Sequence, residues 1–290
     1  MSAMVAIDLS EAWADLLRRR PTFAPTLAVY DELVRLWATT PVAVQPLALD
    51  TDSCVRCWER GVPLLAEAPP VLGVDTVESL LGPVLDIVGG LRGDVFEGLR
   101  AFAEAWDGGR VTITSLFPAR GRLGTVDARI GIDDTVVAFI SAATLRPLLE
   151  SYFAMTREHL ADGVWALGVC PFCGAPPGFG DVIEDGRRRL ACHVCGGGWV
   201  ASRIWCPFCG SADSHDLHRL EPESGDEGYF ISGCTRCRGY LKELDRRVRW
   251  NGGPALVEDW GSPHLDLVAQ RSGYWRALPT IVDLSKRRAP

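Results

Sequence analysis

The residues best suited to chemistry are cysteines. Eight of them form four Cys-x-x-Cys pairs in one stretch: Cys170/Cys173, Cys192/Cys195, Cys206/Cys209 and Cys234/Cys237. A two-residue spacer lets both thiolates of a pair turn toward one point, and two such knuckles complete a tetrahedral four-sulfur site for zinc or iron. The first two pairs are separated by 18 residues, inside the usual ribbon range; the last two are separated by 24, which a loop accommodates. The opening knuckles are near copies, Cys170-Pro-Phe-Cys-Gly and Cys206-Pro-Phe-Cys-Gly, 36 residues apart, which marks an internal repeat. The pattern predicts two tandem modules and two metal ions per chain, iron or zinc. Pairing first with third and second with fourth is open, though less economical for local folding. Four sulfurs per ion leave no coordination position for hydrolysis, so the expectation is a scaffold site with no catalytic residue, and not an enzyme. The sharper alternative is thiol redox work, which needs a labile metal.

Cys54 and Cys57 form a fifth pair, in helix-like sequence without Gly or Pro turn residues. They read as a redox pair, as a metal site at a homodimer interface, or more simply as two reduced, half-buried thiols. His215 and His218 read as surface residues, because the knuckles on either side already have a full sulfur set. His193, inside the second knuckle, is expected to point outward, and His159 and His264 have no obvious partners. Arg187-Arg188-Arg189 reads as a solvated turn. The chain has no Ser/His/Asp set with a local signature, no phosphate-cradling glycine loop and no nucleotide fingerprint.

The elements around these residues divide in character near Gly168. Up to residue 165 the apolar residues recur at helical spacing, as in Leu27, Tyr30, Leu33, Val34 and Trp37. Further helices are predicted from a capping-box-like Asp75/Glu78, from Asp94/Glu97, from Asp133 or Asp134 through Leu145, and from Pro147 onward. Their Trp, Leu and Phe stripes read as core. After Gly168, short strands are predicted at Arg188 to Ala191, Trp199 to Trp205, Tyr229 to Ser232 and Tyr240 to Asp245, with a polar loop from Glu221 to Gly228. Domains of 1–165, 166–202, 203–250 and 251–290 follow: an α-helical N-terminal domain, two rubredoxin-like or zinc-ribbon modules of small β hairpins, and an apolar tail docked on the body. Modules this small have little core, so a metal must supply much of their folding free energy.

Composition narrows the class. Hydrophobic residues make up 47% of the 290, and the net charge is −7, with two lysines and 28 arginines. Between Ala166 and Trp250 acidic and basic residues balance at 11 each. Nonspecific nucleic-acid binding needs excess positive charge, so it is not expected. All ten cysteines lie in Cys-x-x-Cys pairs, a pattern that favours a reducing compartment over secreted disulfides. No run reaches the roughly 18 apolar residues of a membrane span, and Met1 to Arg20 lacks the apolar centre of a signal peptide. A soluble cytoplasmic protein is expected.

Several further pieces stand in order along the chain. They are Trp58-x-x-Gly61-x-Pro-Leu-Leu65, Cys170-Pro-Phe-Cys-Gly-Ala-Pro-Pro after Trp165, and Leu190-Ala-Cys-His-Val-Cys with Trp199. Then come Cys206-Pro-Phe-Cys-Gly, Cys234-Thr-Arg-Cys-Arg-Gly-Tyr-Leu-Lys242, and His264-Leu-Asp-Leu-Val-Ala269 with Gly273-Tyr274. Together they resemble the formate dehydrogenase accessory (formation) proteins of the FdhE family. The resemblance implies a helical domain followed by two rubredoxin-like modules, whose eight ligands are the cysteines from Cys170 to Cys237. It also implies a cytoplasmic maturation factor that engages the catalytic subunit of a respiratory formate dehydrogenase before twin-arginine export. It implies iron, with zinc fitting the same geometry, and transfers no role to Cys54 and Cys57. The rival readings are a zinc-ribbon nucleic-acid-binding protein and a Cys-x-x-Cys thiol–disulfide oxidoreductase.

Overall fold

A computed structural model describes residues 9–91, 95–119, 121–124, 126–222 and 226–284. The start of the N-terminal stretch, the helix start read at Asp94, and part of the Glu221 to Gly228 loop lie outside the described residues.

The first half is helical: α1 (Leu9–Arg19), α2 (Ala28–Thr39), α3 (Thr51–Glu59), α4 (Leu64–Glu67), α5 (Val74–Gly89), α6 (Val95–Asp107), α7 (Ile113–Leu116) and α8 (Asp134–Tyr152). Pro21 opens a 3₁₀ turn that separates α1 from α2. The apolar stripe of α2 turns inward, with Tyr30, Leu33 and Val34 buried. The start of α5 departs from the expected capping box: Gly73 is its N-cap, with no side-chain bond, and Asp75 already lies in the first turn.

The central helix α8 is also longer than predicted. Asp133 caps it, accepting from Thr135 N at 2.7 Å. Instead of ending before Pro147, it runs through that residue to Tyr152. A proline lacks the N–H that the carbonyl four residues back requires. Here Trp37 Nε1 takes that place, donating to Ala143 O at 2.9 Å. A residue distant in sequence thus satisfies the acceptor that Pro147 leaves open.

The second half contains β1 (Phe179–Val182), β2 (Arg188–Ala191), β3 (Gly198–Ala201), β4 (Leu217–Leu220), β5 (Tyr229–Cys234) and β6 (Tyr240–Asp245). Strands β1 and β4 were not predicted, and both are only four residues long. Each module is a three-stranded antiparallel unit. The modules do not merely follow one another: β1 pairs in parallel with β6, giving one six-stranded sheet in the order β3-β2-β1-β6-β5-β4.

The chain closes with α9 (Ala255–Trp260), α10 (Pro263–Arg271) and α11 (Ile281–Leu284). Trp260 stacks on Tyr30 of α2, with ring centroids 4.0 Å apart. Helix α10 covers β5 and β6, burying Leu265 and Ala269 against Phe179, Tyr229, Ile231, Tyr240 and Leu244. Among the described residues no helix is long and apolar enough to cross a membrane.

Candidate metal centres

Each of the four knuckles folds the same way, for a local reason. The residue after the second cysteine takes a left-handed conformation, and its N–H returns to the carbonyl of the first cysteine. Gly174, Gly196, Gly210 and Arg238 do this, with φ of 78, 73, 74 and 61°, at 2.9, 3.0, 2.9 and 2.8 Å. Glycine adopts this conformation freely; arginine does not. Arg238 is held there by bonds from its guanidinium to Ser272 O at 2.6 Å and Gly273 O at 3.1 Å, and it lies over the Tyr274 ring.

The eight sulfurs converge in two groups of four: Cys170, Cys173, Cys192 and Cys195, and Cys206, Cys209, Cys234 and Cys237, each with all its sulfurs within 4.8 Å of one another. First therefore joins second, and third joins fourth. Sulfur separations are 3.5 Å for Cys170–Cys195 and Cys173–Cys192, and 3.7 Å for Cys206–Cys237 and Cys209–Cys234. A metal–sulfur bond of about 2.3 Å in a regular tetrahedron requires sulfurs about 3.8 Å apart. Both groups fit one zinc- or iron-sized ion. Burial pushes the Cys170 and Cys173 thiols well up, and Cys237 up to about 11. A divalent cation would supply the charge needed to displace those protons.

The two centres differ in setting. The first belongs to the main apolar core, and its cysteines are 0–1% exposed. The helical half holds both of its knuckles. Trp58 Nε1 and Leu64 N donate to Pro171 O, each at 3.0 Å, and Leu65 N donates to Phe172 O at 2.8 Å. Arg146 donates to His193 O at 3.0 Å, and Arg157 to Cys195 O at 2.5 Å. At the second centre Cys209 and Cys237 are only half-buried. It is braced by the tail, where Trp275 Nε1 donates to Cys237 O at 2.6 Å.

Cys54 and Cys57 are not half-buried: both are free thiols buried in α3, at 0% and 4% exposure. Cys57 Sγ receives a long contact from Arg60 Nη2 at 3.7 Å. Burial, then the neighbouring Cys57 and Asp50, push Cys54 up to about 11. The structure does not bring this pair to either four-sulfur group. His215 and His218 are exposed.

Three further readings are corrected. His193 points inward, and its Nε2 lies 3.0 Å from Asp259 Oδ2, because a carboxylate inside the fold offers what solvent would. His264 stacks on Phe23 and sits 2.6 Å from Asp226. Arg188 is not in a solvated turn: it is buried on β2 and forms a two-pronged pair with Glu243, at 3.0 and 2.6 Å.

The largest feature not foreseen is a buried ionic cluster that joins the modules to the tail. Lys242 Nζ donates to Asp266 Oδ2 and to Asp259 O, both at 2.7 Å. Arg276 bridges Asp259 at 2.6 Å and Asp266 at 2.9 Å, and Tyr240 OH donates to Asp266 at 2.7 Å. Two cations face two carboxylates. Burial tends to raise Asp259, but Arg276 and Lys242 outweigh it and hold the group far below the usual carboxylate range. Through His193 the cluster touches the first centre, and through Lys242 it touches β6. The available signal was a lysine in a chain with only two.

This architecture defines a class: a helical body carrying two closed four-cysteine ribbons fused into one sheet. No family model matches the chain. It is 33% identical to a protein FdhE homolog of Stutzerimonas stutzeri over 118 positions, covering 39% of this chain and 38% of that one. It is 30% identical to the Pseudomonas aeruginosa homolog over 164 positions, covering 48% and 50%. The Pseudomonas putida homolog is 28% identical, covering 52% and 49%. The matched segments thus span half or less of those relatives' own length. The crystal structure of the FdhE protein from P. aeruginosa shares the fold, with a TM-score of 0.60 at 22% identity over 94% of this chain and 93% of that one. Over those segments the chain is similar to the FdhE homologs, and with the solved FdhE protein it shares the fold.

Proposed function

We propose that this chain is an accessory factor for a formate dehydrogenase. In the cytoplasm it binds the catalytic subunit before export. The eight cysteines from Cys170 to Cys237 hold two ions, iron or zinc, which keep the binding surface rigid so that little order is lost on association. The observation that carries this reading is the convergence of eight thiols into two groups of four on the fold of the solved FdhE protein. Such centres have no open position for substrate, so they suit a scaffold. Domains 1–165, 166–202, 203–250 and 251–290 serve as body, two ribbons and clasp.

The test is binding of the purified chain to the purified catalytic subunit, with elemental analysis of the chain alongside. Expected are a stable complex and two metal ions per chain. Active, exported formate dehydrogenase in cells lacking this protein would sink the proposal.

A further inference from the structure

Side chains alternate across a strand, so each sheet face collects every second residue. One face of β5 and β6 packs on α10 through Tyr229, Ile231, Tyr240 and Leu244. The opposite face, through Phe230, Ser232, Leu241 and Glu243, lines a cleft of about 240 Å³. Knuckle residues of the second centre line it from the other side, among them Cys206, Pro207, Phe208 and Cys234. Strand β4, the outermost of the sheet, contributes Leu217, His218 and Arg219. Ile204 stands 57% exposed and also lines the cleft.

The charge of this cleft opposes that of the chain. The whole chain carries −7, yet Arg188, Arg203, Arg219 and His218 line the cleft against the single carboxylate of Glu243. Glu243 is engaged by Arg188. Arg219 lies over the Phe230 ring at 3.7 Å and meets Glu221 at 2.9 Å. Arg203 is exposed and forms no ion pair among the described residues.

We infer that this cleft docks an extended segment of the catalytic subunit that presents an apolar side chain beside a carboxylate. The inference rests on the accessory reading above. The apolar side chain enters between Phe208, Leu217, Phe230 and Leu241, and the carboxylate meets Arg203. The segment lies beside the free edge of β4, where an added strand finds unpaired backbone groups. The cleft is smaller than the roughly 300–1,000 Å³ of small-molecule sites. Nucleic acid fits worse than a peptide. One unpaired guanidinium cannot neutralise a run of phosphates, and Glu243 sits on the sheet side.

The experiment measures affinity of the full chain for the purified catalytic subunit at two salt concentrations. Arg203→Glu and Ile204→Glu are compared with Val71→Asp, a fully exposed position on the helical half. Each variant is first checked for unchanged metal content and circular dichroism. The two cleft variants are expected to weaken binding by about tenfold or more, and Val71→Asp to leave it unchanged. Salt should weaken the unmodified chain more than Arg203→Glu. Cleft variants that bind like the unmodified chain overturn this inference and leave the accessory reading intact. No binding by the unmodified chain overturns both. Displacement of the subunit by a short single-stranded oligonucleotide, lost in Arg203→Glu, assigns the cleft to nucleic acid instead.

Discussion

Replacing Lys242 with methionine tests the ionic cluster most directly. Methionine retains most of the stem volume and removes only the charge and its donors. In the intact cluster Lys242 and Arg276 balance Asp259 and Asp266, and Lys242 is 0% exposed. Burial lowers the His193 pKa and keeps that ring uncharged. Lys242→Met leaves two carboxylates with one guanidinium, a net negative charge with no access to water. Breaking a buried pair by removing one partner costs about 3–5 kcal/mol. For a chain near this size each kcal/mol moves the midpoint by about 2–4 °C, so Tm should fall by roughly 6–20 °C. Urea unfolding followed by tryptophan fluorescence and circular dichroism reads the free energy. The decisive measurement is the double-mutant cycle with Asp266→Asn. Each single change leaves the cluster with unit charge of opposite sign, whereas together they restore neutrality with Arg276 facing Asp259. The double variant should be more stable than the summed singles predict by about 0.5–3 kcal/mol. A single-variant cost below about 1 kcal/mol, or strict additivity, would refute the reasoning.

Other expectations follow from the same physics. Trp37→Phe removes the donor to Ala143 O and should cost about 1–3 kcal/mol. Adding Pro147→Ala restores a backbone N–H and should recover part of that loss in the same urea titration. Because Asp259 is held below its unfolded value, its contribution is complete above about pH 4 and lost as pH falls further. Asp259→Asn should therefore flatten the acid limb of stability against pH. A chromophoric chelator should withdraw one ion per chain quickly, from the half-exposed second centre, and the other slowly; equal rates would contradict the difference in burial. In the folded chain Cys54 and Cys57 should resist thiol reagents until denaturant is added, since both are buried and Cys54 is pushed up to about 11.

The sequence by itself determined what is local. Two-residue spacers and a following glycine dictate the knuckle, because three of the four turns need only a residue free to adopt positive φ. Helical spacing marked the buried face of α2, and the ends of β6 were legible in Tyr240 to Asp245. What depends on partners distant in the chain was decided only in three dimensions. Pro147 reads as a helix boundary until Trp37 supplies the missing donor. Arg188 and His193 read as solvated until Glu243 and Asp259 are folded against them. Strands β1 and β4 were not legible in the sequence, and the parallel pairing of β1 with β6 has no local signature. Charge can be buried only where an opposite charge arrives, and that arrival is a property of the assembled fold.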